Sequence, residues 1–518
     1  MESLLSKEYK NDFVNTFAGD KSGDRNPRQT PGVLYSKALP TPVKKPELLA
    51  WSEELAAELG LQKPTGQQEI DVLAGNVVTA TMHPYAACYA GHQFGHWAGQ
   101  LGDGRAITLG EWETAAGQVC EFQLKGAGPT PYSRRADGRA VLRSSVREYL
   151  MSEAMHYLGV PTTRALSLVT TGEPVLRDMF YNGNAAHEPG AIVLRVAPSF
   201  LRFGNFEMLN ARKETDHLRQ LVDWTIARYY PHLQGEDKVL RWFKEVVDRT
   251  AGLMVEWQRV GFVHGVMNTD NMSVLGLTID YGPYSFLDDF DPDFTPNTTD
   301  LPGRRYAFSR QPSVAHWNLG CLAGALLPLV EKDQLVAALD GYKDSYWSKY
   351  YAMMGNKLGL DQVSAADTDL ITQFENTLAA VKPDMTIFYQ LLIDLPLYMA
   401  DAQEVAAYFN PSLYYELTPA ESELLYTLIQ SYLARLNTNT IKREDSQKRM
   451  RAANPRFILR NYLLHQAIEE LERGENTLFL QLQEALKTPY TCKDDTFFEK
   501  RPEWASQKAG CSMLSCSS

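Results

Sequence analysis

The segment NMSVLGLTIDYGP, residues 271–283, constrains the fold most, because its apolar residues on either side of Leu275-Gly276 predict a two-residue hairpin. That turn pairs Val274 with Leu277, Ser273 with Thr278 and Met272 with Ile279, so Asn271 falls opposite Asp280. Directly opposed residues have Cα atoms about 4.5–5.5 Å apart. An amide oxygen and a carboxylate at that separation suit one Mg2+ or Mn2+ shared with phosphate oxygens. Asp270, just before, adds a third oxygen ligand or a base. The bland alternative is an Asx-rich turn with no ligand, since Asn and Asp are common turn residues.

Upstream, GQVCEFQLKG at 117–126 alternates as a strand does, with Cys120, Phe122 and Leu124 on one face and Glu121, Gln123 and Lys125 on the other. The following 139–159 carries Leu142, Val146, Leu150, Ala154 and Leu158 at helical spacing and stops at Gly159. A strand lysine and a helix glutamate, Lys125 and Glu148, are thereby set up to pair. Between them, GAGPTPYSRRADGR allows close backbone approach at its glycines and adds the charges of Arg134, Arg135 and Arg139. The stripe Arg139, Arg143, Arg147 has a solvated helix face as its bland alternative, and for Arg143 that reading is preferred. The glycine-dense 90–106 could cradle phosphates with backbone N–H groups, although it matches no standard phosphate-loop spacing. Within it, His92 and His96 read as loop or packing residues. Arg195 and Arg202 offer two guanidinium forks for a polyphosphate.

HGVMNTDN, 264–271, has His264 and Asn271 at the spacing of a protein-kinase catalytic loop, with Val266 where kinases place the substrate-facing Asp. DYGP at 280–283 follows in the order of the kinase metal motif. The chain thus reads as α+β with a kinase-like bilobal plan: an N-terminal extension (1–80), a mixed small lobe (81–206), a mainly helical large lobe (207–440), and a C-terminal helical segment with a cysteine-containing tail (441–518). Helices are expected over 213–230, 237–260, 421–436 and 454–474, a strand over 189–197, and a long ordered loop over the acidic, proline-rich 287–304.

A net charge of −12 repels a nucleic-acid backbone and leaves only a local basic pocket for phosphate. The first residues lack an apolar signal region, and the longest apolar run, at 319–330, is too short to span a bilayer. A cytoplasmic monomer without nucleic-acid or membrane partners is expected. Six cysteines in 518 residues make no disulfide framework, and Cys511 and Cys516 sit in a small-residue tail expected to be exposed.

Taken together, QLKGAGPTPYSRRADGRAVLRSSVREYLMSEAM, LRVAPSFLRFGNFE, GFVHGVMNTDNMSVLGLTIDYGP and the terminal CSS closely resemble the selenoprotein O family, the kinase-fold adenylyltransferases. The resemblance implies transfer of AMP from ATP to Ser, Thr or Tyr hydroxyls of proteins with release of pyrophosphate. ATP would lie reversed relative to kinases, so no acid is needed at Val266. It further implies that Lys125, Arg195 and Arg202 hold phosphates together with Gly102, Gly104 and Arg105. Asp137 and Gly138 would contact the nucleotide, and Glu148 would orient Lys125. Asn271 and Asp280 would bind the metal, and Asp270 would accept the proton. Cys516 stands at the family's selenocysteine position, whereas Met513 stands where its partner cysteine usually lies. A Cys511–Cys516 disulfide is therefore an open expectation. The competing readings are a kinase that transfers the γ-phosphoryl group, with Asp270 as its base, and a nucleotide-binding pseudokinase scaffold.

Overall fold

The computed structural model describes residues 2–179, 182–511 and 513–515. The expected α+β, two-lobed plan forms. In the small lobe, a mixed sheet runs in the order Gly19–Asp20, Tyr35–Lys37, Tyr85–Ala87, Ala106–Glu113, Val119–Lys125, Ala186–Ala197, Arg164–Arg177, Glu47–Trp51. The pair at the Gly19 edge is parallel and the others are antiparallel, with the short strand Ala140–Val141 attached to Ala186–Ala197. Residues from the first 80 therefore complete both edges of the sheet. Cys120, Phe122 and Leu124 alternate as anticipated, and Phe122 and Leu124 are fully buried.

The helix expected after the lysine strand spans Leu142–Tyr157, and Gly159 beyond it takes the left-handed φ of 76°. The large lobe is built on Lys238–Val260, whose Trp242, Phe243, Val246 and Met254 are buried and which ends on Gly261 at φ 75°. Thr215–Tyr229 and Pro419–Leu436 form as read.

The helix expected over 454–474 begins only at Asn461. Pro455 clashes with a helical conformation at the residue before it, and Asn454 is accordingly extended at φ −107°, ψ 109°. The segment 454–460 instead carries Arg460 into the interior, where it pairs with Asp288 at 2.7 Å and Asp384 at 2.8 Å.

Arg143 is a second correction, and Arg147 beside it is buried too. Neither faces solvent: Arg143 is buried against Glu188 at 2.9 Å, and Arg147 lies 4.2 Å from the Tyr284 ring while donating to Asn461 Oδ1 and the Tyr284 carbonyl. Arg147 thus joins the small-lobe helix to the C-terminal helix that begins at Asn461, a partner that helix periodicity does not reveal. In the tail, Cys511 is buried rather than exposed, and Leu514 exchanges backbone hydrogen bonds with Pro296 and Thr298 of the 287–304 loop. Cys516 lies outside the described residues, and so does its pairing.

Candidate active site

Sheet register creates the charged centre. Gln123 pairs with Arg195 and Lys125 with Val193 on the adjacent antiparallel strand, so Lys125, Gln123 and Arg195 share one face. Glu148 rises from the helix behind and bridges two of them, with Oε2 at 2.6 Å from Lys125 Nζ and Oε1 at 3.0 Å from Arg195 Nη1. Asp280 closes the cluster from the large lobe. Its Oδ1 takes Arg195, with Lys125 at 3.8 Å, and its Oδ2 takes Arg202. Burial alone would raise the Asp280 carboxyl, but Arg202, Arg195 and Lys125 outweigh it and hold the group well below the carboxylate range. Burial depresses Lys125 despite its acidic neighbours.

Asp103, Tyr89 and Gln93 were not singled out from sequence. Asp103 is buried, accepts from the Ala87 N–H and the Tyr89 hydroxyl, and lies 3.7 Å from Arg202, whose guanidinium sits 4.5 Å from the Tyr89 ring. Its only sequence signal was an acid inside a glycine-rich loop.

The hairpin expected over 271–280 does not form. Ser273 bridges Arg202 and Thr278 bridges Thr162, while the reversal falls at Val274-Leu275, with Gly276 N–H on the Ser273 carbonyl at 3.2 Å. Each arm finds a backbone partner in a flanking segment, which satisfies its donors without the other arm. Asn271 and Asp280 nevertheless line one cavity. Asn271 Nδ2 donates to the Val266 carbonyl at 2.9 Å, turning the amide oxygen away from Val266.

Residues 90–100 form a separate hairpin, with Phe94 (φ 51°) and Gly95 (φ 85°) as its turn. It grips the loop that carries Asp270. The His92 N–H donates to Thr269 Oγ1 at 2.7 Å, Phe94 N–H to Asn268 Oδ1 at 3.2 Å, and Gln93 Nε2 to Asp270 Oδ2 at 3.4 Å. A Cβ on Gly91 would sit 2.9 Å from Asp270 Oδ1, so this glycine serves the loop rather than a phosphate. His92 packs as expected, between the Trp97 and Trp317 rings.

Asp270 itself is buried, its Oδ1 makes no hydrogen bond among the described residues, and burial, opposed by Arg202, pushes its carboxyl up to about 7. His264 stacks on Trp257; its Nε2–H donates to the Ile279 carbonyl and Nδ1 accepts from Val266 N–H, which fixes a neutral imidazole.

A cavity of about 820 Å³ collects these groups. Gly102, Gly104, Arg105, Lys125, Asp137, Gly138, Arg195, Asp270, Asn271 and Asp280 all line it. Glu148 and Arg202 stand behind that wall, bound to Lys125 and Asp280. Gly102 and Gly104 also face Tyr132, whose ring and carbonyl a Cβ would meet at 2.5 and 2.9 Å, and a Cβ on Gly138 would strike the Gly128 carbonyl. Asp137 is held by Arg177 at 2.7 Å. Seven Lys and Arg side chains line the cavity against five Asp, a local positive excess on an acidic chain.

A cationic cleft between a β-rich and a helical lobe, lined by an amide, a paired carboxylate and a buried acid with one oxygen free of hydrogen bonds among the described residues, suits phosphoryl or nucleotidyl transfer. The family described as protein adenylyltransferase SelO matches residues 28–487. Among similar curated proteins, the protein nucleotidyltransferase YdiU of Cytophaga hutchinsonii is 62% identical over 519 residues, covering 100% of both chains. Those of Nitrosospira multiformis and Azoarcus sp. are 48% and 50% identical; the first covers 100% of this chain and 98% of its own, the second 98% and 99%. A solved structure titled as ROP2 from Toxoplasma gondii, a virulence factor with a protein-kinase fold and no enzymatic activity, is 13% identical. It covers 57% of this chain and 86% of its own at a TM-score of 0.24, too loose to bear on fold or activity. The chain belongs to the protein adenylyltransferase SelO family. It is an enzyme of nucleotidyl transfer, and ATP is its co-substrate.

Proposed function

We propose that this chain moves AMP from ATP onto a Ser, Thr or Tyr hydroxyl of a protein, with the Asp270 carboxylate taking the hydroxyl proton. Asp270 lines the same cavity as the Lys125–Asp280 cluster, while the kinase base position is held by Val266, and this is the observation that carries the reading. The acceptor oxygen bonds to the α-phosphorus, the α–β P–O bond breaks, and pyrophosphate leaves with the electron pair. A carboxyl near 7 is matched to such proton acceptance at neutral pH.

Lys125, Arg105 and Arg195 line the phosphate side, with Gly102 and Gly104 beside them, and Arg202 holds Asp280 in place. Glu148 is a positioning residue for Lys125 and Arg195. Asp137 and Gly138 form the nucleotide-facing rim. The donor set of one amide oxygen and one carboxylate, Asn271 and Asp280, fits a hard divalent cation, Mg2+ or Mn2+. Bound there, the ion would neutralise phosphate charge as it spreads in the transition state. On this reading the enzyme works as a cytoplasmic monomer; no helix among the described residues is long and apolar enough to cross a membrane.

Incubation with α-labelled and γ-labelled ATP tests it. Protein label is expected from the α position alone, and label retained only from the γ position would overturn the reading in favour of a kinase.

A further inference from the structure

Outside the cleft, three metal-ligating side chains from three elements converge. His92 comes from the 90–100 hairpin, Glu207 from the helix Phe203–Ala211 and Cys321 from the helix Gln311–Leu326. Their ligand atoms all lie within 4.8 Å of one another, with His92 Nδ1 at 2.5 Å from Glu207 Oε2. Glu207 is 4% exposed, and its carboxylate is shared between His92 and the Thr269 side chain, so a buried acid faces the cluster. His92 and Cys321 are half-buried, which leaves an approach from solvent beside the exposed Trp97 and Trp317.

We infer that His92, Glu207 and Cys321 form a second metal site, for a thiophilic cation of the zinc type, that fastens the small-lobe hairpin to two large-lobe helices. The donor set decides the metal. Imidazole, thiolate and carboxylate together suit Zn2+ or Co2+, whereas the amide and carboxylate of the cleft suit Mg2+ or Mn2+. Zinc bonds of roughly 2.0–2.3 Å require ligand atoms roughly 3.3–3.8 Å apart in a tetrahedron, so the His–Glu pair opens and the widest pair closes by about an ångström. On binding, the Cys321 thiol proton leaves to solvent and the His92 proton shifts from Nδ1 to Nε2. Three protein ligands leave the fourth position to water.

The test is titration of the full chain with Co2+ in excess Mg2+, read by the near-ultraviolet thiolate-to-cobalt band, and then competition with Zn2+. The wild type is expected to develop the band at one ion per chain and to lose it to Zn2+. C321S should abolish the band, C120S should keep it, and E207Q should weaken binding by more than about tenfold. Zn2+ should also raise the melting temperature of the wild type and not of C321S. No thiolate band in the wild type, or a band unchanged in C321S, overturns the site.

Discussion

Two aspartates ten residues apart in sequence share one cavity and are driven in opposite directions. Asp280 is paid for by three cations and stays ionised, while Asp270 keeps one oxygen without a donor and is raised to about 7. A base must be deprotonated to work, so adenylylation is expected to rise with pH through about 7 and then level. Asp270→Asn should lose about 100-fold or more in kcat and flatten that profile, with ATP affinity retained. Steady-state kinetics across pH checks both. Gly91→Ala is a gentler probe: its Cβ would press on Asp270 Oδ1 at 2.9 Å, so kcat should fall several-fold while circular dichroism and melting stay near wild type.

At the level of elements, legibility followed the range of the interaction. The strand 119–125 and the helix 142–157 announce themselves because alternation and helical spacing are local consequences of burying one face. Lys125 and Glu148 were readable for the same reason, being placed by two consecutive elements. What failed depended on distant partners. Nothing in 271–280 says that Ser273 will prefer Arg202 and Thr278 will prefer Thr162, and nothing in the 142–157 stripe says that Arg147 will meet Asn461. Pro455 was legible and outweighs the apolar pattern around it. Asn271 and Asp280, the proposed metal ligands, still end at the same cavity without the hairpin, by a different route. Arg147→Ala should cost about 2–3 kcal/mol, since it leaves the Tyr284 carbonyl and Asn461 buried without their donor; chemical denaturation reads it.

For the molecule as a whole, the interior acids set the pH response. Glu121, on the polar face of the lysine strand, is buried and raised to about 8, by burial first and Glu111 next. Above about pH 5 the unfolded chain releases this proton while the folded chain keeps it, so stability falls as pH rises toward 8. Asp270 adds to the same slope up to about 7. Glu121→Gln should flatten that decline and raise the melting temperature at pH 8 relative to wild type, as scanning calorimetry over pH would show. The same substitution at pH 5 should change little.

The hairpin at 90–100 grips residues 268–270 from across the cleft, and this bears on how nucleotide comes and goes. A book-like swing of one lobe away from the other would pull Asp270, the base proposed above, off these contacts at every turnover. Exchange of ATP for pyrophosphate is therefore expected at the opposite rim of the cavity, where the arginine-bearing segment 134–139 meets Arg177.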